Sequence, residues 1–174
     1  MKTTDALKRI LNEQVLGYKA LFELLQVERQ SLVEFNEQSV ERLSKEKDTL
    51  VLKLRLLEDE RVRLMRKYSL EASKEAKTRQ VLSDAKDADN PPVHVNIKAD
   101  ISLKELAEIT GDGVFLDIRS KLRALLQGIE ELNDYNKILI ERSINYLKNN
   151  LNFLKTLGIN PNIARKGFFI TKEA

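Results

Sequence analysis

Through its first 90 residues this chain has no proline and a single glycine, Gly17, while apolar side chains return in alternating steps of four and three. Few other patterns narrow the fold so far. Without helix breakers, and rich in Leu, Glu, Lys, Arg and Gln, the segment is confined to long helices. The four-three rhythm is that of helices lying side by side at a shallow angle. A first helix over about 4–35 carries the stripe Leu7, Leu11, Gln14, Tyr18, Leu21, Leu25, Glu28, Leu32, Phe35. A second over about 40–82 carries Val40, Leu43, Lys47, Leu50, Leu54, Leu57, Arg61, Leu64, Tyr68. Aromatic residues make up only 6% of the chain and Trp is absent, so the core must be built mainly of Leu and Ile.

The two stripes are out of phase by one residue. The slip falls in Asn36-Glu37-Gln38-Ser39, where Asn suits a helix C-cap and Ser an N-cap. A tight reversal there predicts an antiparallel hairpin. If Phe35 faces Val40, the residue numbers of every facing pair sum to 75. Leu then meets Leu or an aromatic ring in most layers, Glu28 meets Lys47, and Gln14 meets Arg61. A slipped register would set Lys47 or Arg61 against Leu, with a partly desolvated charge unpaired. These two polar layers are therefore expected to set the register more than to add stability.

Residues 83–100 read as a polar linker, with Pro91-Pro92 disfavouring helix before each ring. Ser102 and Glu105 have capping-box spacing and open a short helix over 102–110, stopped by Gly111-Asp112-Gly113. A third long helix spans about 114–157, with Gly128 inside it as a point of close packing. Its stripe is Ile118, Leu122, Leu125, Ile129, Leu132, Asn136, Leu139, Ser143, Tyr146, Asn150, Phe153, Leu157. The fold class is thus all-α: an antiparallel hairpin of long helices plus a third long helix in an elongated bundle, as one domain over 1–174, with one short helix in the connection.

The last helix is anomalous. Beside its main stripe, which softens to Asn136, Ser143 and Asn150, runs a second one: Ile140, Ile144, Leu147, Leu151 and Leu154. Either the helix lies between both hairpin helices and buries both seams, or one seam stays open for an amphipathic helix from a partner. Periodicity leaves the two level. The tail over 158–174 ends in an apolar trio, Phe168-Phe169-Ile170, as a recognition segment or a strap.

Little in the chain points to catalysis. Cysteine is absent, so disulfides and thiolate chemistry are excluded, and the single His94 cannot build a histidine metal cluster. No nucleophile elbow or phosphate-cradling glycine loop occurs, so neither enzyme activity, cofactor nor metal is expected. The net charge is only +3. Arg61, Arg63, Arg66 and Lys67 cluster beside the acidic Glu58-Asp59-Glu60, which reads as a solvated face rather than a nucleic-acid site. Pairs such as Glu41 with Lys45 and Asp59 with Arg63 are ordinary surface support on a helix. No apolar run approaches the ~20 residues of a membrane span. The opening MKTTDALKRI lacks the apolar core of a secretion signal, so a cytoplasmic chain is expected.

Leu21-Phe22-Glu23-Leu24-Leu25, Glu28-Arg29-Gln30-Ser31-Leu32, Lys45-Glu46-Lys47 and Leu56-Leu57-Glu58-Asp59-Glu60-Arg61 resemble the flagellar export chaperones of the FlgN type. The run from Leu132 to Ile144, LNDYNKILIERSI, resembles that family's paired asparagines, aliphatic pair and serine-aliphatic step. The resemblance covers most of the chain outside the linker. It implies a non-enzymatic cytoplasmic chaperone that holds hook–filament junction (hook-associated) proteins and hands them to the flagellar export apparatus. It also implies client binding through the C-terminal part, which favours an open seam. The expected client-binding residues are Ile140, Ile144, Leu147, Leu151, Leu154, Phe168 and Phe169. The family's tail often has a tyrosine four residues before a glycine; here Gly167 matches, but Ile163 holds the tyrosine position. The alternative is a structural coiled-coil protein that homodimerises through the same seam.

Overall fold

The computed structural model describes residues 2–83 and 101–158. They form α1 (Lys2–Val33), α2 (Glu37–Ser83), α3 (Leu103–Thr110) and α4 (Val114–Thr156), with no strand among the described residues. The fold is all-α, an antiparallel α1–α2 hairpin joined by a third long helix. The linker over 84–100, with Pro91, Pro92 and His94, and the tail beyond Gly158 lie outside the described residues.

The reversal falls where the phase slip requires it, but its chemistry differs from the expected one. α1 stops at Val33, and Phe35 takes a left-handed conformation (φ 54°). The Asn36 N–H donates to the Ser31 carbonyl at 2.9 Å, and the Phe35 N–H to that of Leu32 at 3.4 Å. This is the Schellman pattern, with Phe35 at the position usually held by Gly. Asn36 is the N-cap of α2 rather than the C-cap of α1: its Oδ1 accepts the Ser39 N–H at 3.0 Å. Phe35 therefore leaves the apolar stripe and is 73% exposed. Its left-handed backbone costs about 1–2 kcal/mol.

α1 is the helix against which both α2 and α4 pack, and α3 packs on α4. One core cluster joins Leu7, Leu11, Leu64, Met65, Leu106, Phe115 and Ile118; a second joins Leu21, Leu25, Leu54, Ile129 and Leu132. The residue numbers rise together in α1 and α4, so α4 runs parallel to α1. The two pack tightly at Gly128, where a Cβ would fall 2.7 Å from the Phe22 ring. At that distance any larger residue would force the Phe22 ring or α4 to shift. The turn before α4 is tied back to α1. Asp112 pairs with Lys8 and accepts the Val114 N–H at 3.0 Å, while Ser102 and Glu105 form a complete capping box on α3.

Two polar layers interrupt this core. Lys47 Nζ donates to Glu28 Oε1 at 2.5 Å, across the hairpin. The other carboxylate oxygen accepts Asn136 Nδ2 at 2.8 Å, and the same amide donates to the Leu25 carbonyl at 3.1 Å. Glu28 thus joins α1, α2 and α4. The second layer corrects a sequence expectation. Gln14 reaches Glu58, not Arg61, with Nε2 donating to Oε2 at 2.9 Å. Arg61 grips the same carboxylate through Nε and Nη2 at 2.7 and 2.6 Å. With Nε2 of Gln14 turned this way, both the amide and the guanidinium donate, and the Glu58 carboxylate, one turn before Arg61, accepts from both.

The guanidinium of Arg61, and then the Gln14 amide, hold the Glu58 carboxyl below the usual carboxylate range. Lys8 and the Val114 N–H do the same to Asp112. A folded-state pKa below the unfolded one gives stability that is complete above the unfolded value, near 4, and is lost as pH falls through the lower folded value. The melting temperature should hold from pH 7 to about 5 and fall below about 4. Circular-dichroism melts of Glu58→Gln should show a shallower acid slope. Glu28→Ala, which strips partners from Lys47 and Asn136 together, should lower the unfolding free energy in urea by about 3 kcal/mol.

Candidate functional site

α1 ends beside the middle of α4. Arg29 and Val33 share a groove of about 220 Å³ with Tyr135, Ile138, Leu139 and Arg142, and the Arg29 guanidinium stands 5.5 Å over the Tyr135 ring. Beyond that level α4 continues for almost four turns, about 20 Å at 1.5 Å per residue. The last fully buried side chain of α4 is Asn136.

The aliphatic seam lies on this extension. Ile140, Ile144, Leu147 and Leu151 are all exposed, Leu147 to 59%, and Leu154 is half-buried. The arrangement in which α4 lies between both hairpin helices and buries two seams does not describe the structure. Ile140 opens the seam in a cleft of about 360 Å³, lined also by Glu28, Lys47, Asn133, Asn136, Lys137 and Glu141. The seam therefore starts at the polar node, on the flank of α4 that faces α2. Phe168 and Phe169 lie outside the described residues.

Sequence periodicity missed a second set. Tyr146, Phe153 and Leu157 belong to the stripe assigned to the core, yet Tyr146 and Phe153 are each 62% exposed. The stripe is apolar to its end, but the neighbour it needs stops at Val33. The signal that would have found this is a length comparison. α1 has 32 residues and α4 has 43, so parallel helices aligned near their N-termini leave the C-terminal end of α4 uncovered.

The electrostatics of the extension are simple. From Arg142 to Leu157 it carries Arg142, Lys148 and Lys155, no carboxylate, and many asparagines. The basic cluster of α2, by contrast, is offset by acids. Arg61 pairs with Glu58 and Lys67 lies near Glu71, while Arg63 pairs at 2.7 Å with Glu60 rather than with Asp59. Glu41 and Lys45 form the expected surface pair at 2.7 Å. Among the described residues no group of three His, Asp or Glu side chains could hold a metal ion. No helix among them is long and apolar enough to cross a membrane. What the projecting end of α4 offers is an apolar, weakly basic helix face.

Comparison with known proteins agrees with a binding role. A family model described as "FlgN protein" matches residues 1–162. No curated protein and no solved structure matches the chain. The match stops short of Ile163, Gly167, Phe168 and Phe169.

Since the seam lies outside both core clusters, Ile144→Ser with Leu151→Ser should change the unfolding free energy by no more than about 0.5 kcal/mol per site. The same pair should reduce binding of a hydrophobic dye such as ANS to the native protein.

Proposed function

We propose that this chain, which belongs to the FlgN family, is a cytoplasmic chaperone for the hook–filament junction proteins of the flagellum. FlgN-family proteins are flagellar export chaperones that bind export substrates. The observation that carries the finer reading is the exposed seam of Ile140, Ile144, Leu147 and Leu151 on a helix end that its own bundle leaves uncovered. Leu154 extends that line, and Phe168 and Phe169 are further contacts from the tail.

The client contributes an amphipathic helix whose apolar stripe packs along this seam. Lys148 and Lys155, one heptad apart on the flank of the seam, favour acidic residues beside that stripe. Full burial of one Leu or Ile side chain is worth about 1.5–3 kcal/mol, so a few such contacts support micromolar affinity or better after ordering costs. Apolar burial dominates, so affinity changes little with salt. Covering the client's helix keeps an assembly-competent segment from polymerising before it reaches the export apparatus.

The second reading, a homodimer closed through the same seam, rests on the same exposure. Sedimentation across concentration separates the two: a tight dimer without affinity for junction subunits supports the second. The direct test is Leu147→Glu with Leu151→Glu in the full chain. Helical content should be unchanged, and affinity for a purified junction subunit, measured by calorimetry, should fall at least about tenfold, or 1.4 kcal/mol. Unchanged affinity would place client binding elsewhere.

A further inference from the structure

We infer that the projecting end of α4 is built to receive two helices rather than one, so that the client docks as a helical pair prolonging the lines of α1 and α2. This rests on the chaperone reading above and specifies the form of its partner.

At 100° per residue, Tyr146, Phe153 and Leu157 fall on one line of α4. Ile140, Ile144, Leu147 and Leu151 fall on another, about a third of a turn away. Ser143 and Asn150 lie between the two lines on the narrow side, and Lys148, Asn149 and Asn152 lie on the opposite side. The apolar arc is therefore about half the circumference. An amphipathic helix seated on one neighbour needs an arc of only about 100°. Half a circumference fits the groove between two neighbours.

Both lines are continuous with contacts already made inside the bundle. The first prolongs Tyr135 and Leu139, which share a groove with Arg29 and Val33 of α1. The second begins at Ile140, in the cleft shared with Lys47 of α2. Past Val33 the position alongside α4 that α1 held is open, and the flank toward α2 opens with it. Two client helices at ordinary spacings of about 8–10 Å would carry the same three-helix cross-section onward. A lone helix would cover one line and leave the other in water. Ser143 and Asn150 follow Asn136 at heptad spacing and so face the groove between the two incoming helices. At Asn136 the bundle answers with Glu28 and the Leu25 carbonyl; the client is expected to answer with polar residues of its own.

Site-specific photo-crosslinking on the full chain tests this. A benzoylphenylalanine is placed at Tyr146 or at Leu147, adjacent in sequence but on different lines, and each protein is irradiated with a purified hook–filament junction subunit. Peptide mapping should return two different, non-contiguous client segments. One client segment from both positions overturns the pair. Capture by Tyr146 of residues 159–174, of a second copy of this chain, or of nothing overturns it as well. Failure of Leu147 to capture client defeats the underlying chaperone site instead, so the two failures are distinguishable. In parallel, Tyr146→Ser with Phe153→Ser should lower client affinity at least tenfold at unchanged helical content. Wild-type affinity would overturn the pair and leave the single-helix reading in place.

Discussion

The Glu28 carboxylate is the point at which all three long helices are aligned. One oxygen takes the Lys47 ammonium from α2 and the other takes the Asn136 amide from α4. The amide orientation is fixed, because Nδ2 already serves two acceptors, Glu28 and the Leu25 carbonyl, and a flip would turn Oδ1 onto both. Oδ1 itself is buried without a partner, at a cost of about 1–3 kcal/mol. A layer of this kind is a poor source of stability, since well-packed aliphatic residues would serve as well. It discriminates between alignments. Sliding α4 by one turn along α1 would separate Asn136 from Glu28, leaving the buried amide and one Glu28 oxygen without that hydrogen bond.

The node also stands at a boundary. On one side of it lie the two aliphatic clusters, closed at the far end by α3 and by Lys8, Asp112 and Phe115. On the other side α1 ends little more than one turn on, at Val33, and α4 runs on without it. The exposed seam takes little from the fold, because those side chains lie outside both core clusters. The same alignment that completes the core therefore sets how much of α4 is left over, and the leftover face is the exposed apolar one.

Much of this was legible in the residues. The four-three stripes located the long helices, and the slip between Phe35 and Val40 located the reversal. The rule that facing numbers sum to 75 paired Glu28 with Lys47 and grouped Leu11 with Leu64 and Leu21 with Leu54. Ser102 and Glu105 announced the short helix. These features follow from local periodicity and from the cost of unpaired charge, both visible in one dimension. What escaped was decided by competition between neighbours. Asn36 could cap either helix, and the orphan N–H groups of α2 won. Gln14 could meet Arg61 or a carboxylate one turn away, and the carboxylate won because it alone accepts from both donors. Tyr146 and Phe153 carry the same periodicity as the buried residues before them, and nothing in that periodicity records where the neighbouring helix ends.

By itself, then, the sequence determined that the chain forms long helices, where the hairpin turns, and which faces are apolar, because helix geometry converts residue spacing directly into faces. Tertiary structure alone decided that α4 lies parallel to α1 and overshoots it. That direction depends on contacts such as Gly128 with Phe22 and Asn136 with Glu28, made between residues more than a hundred positions apart. Burial is a property of having a neighbour, and the neighbour's position is not written in the stripe that needs it.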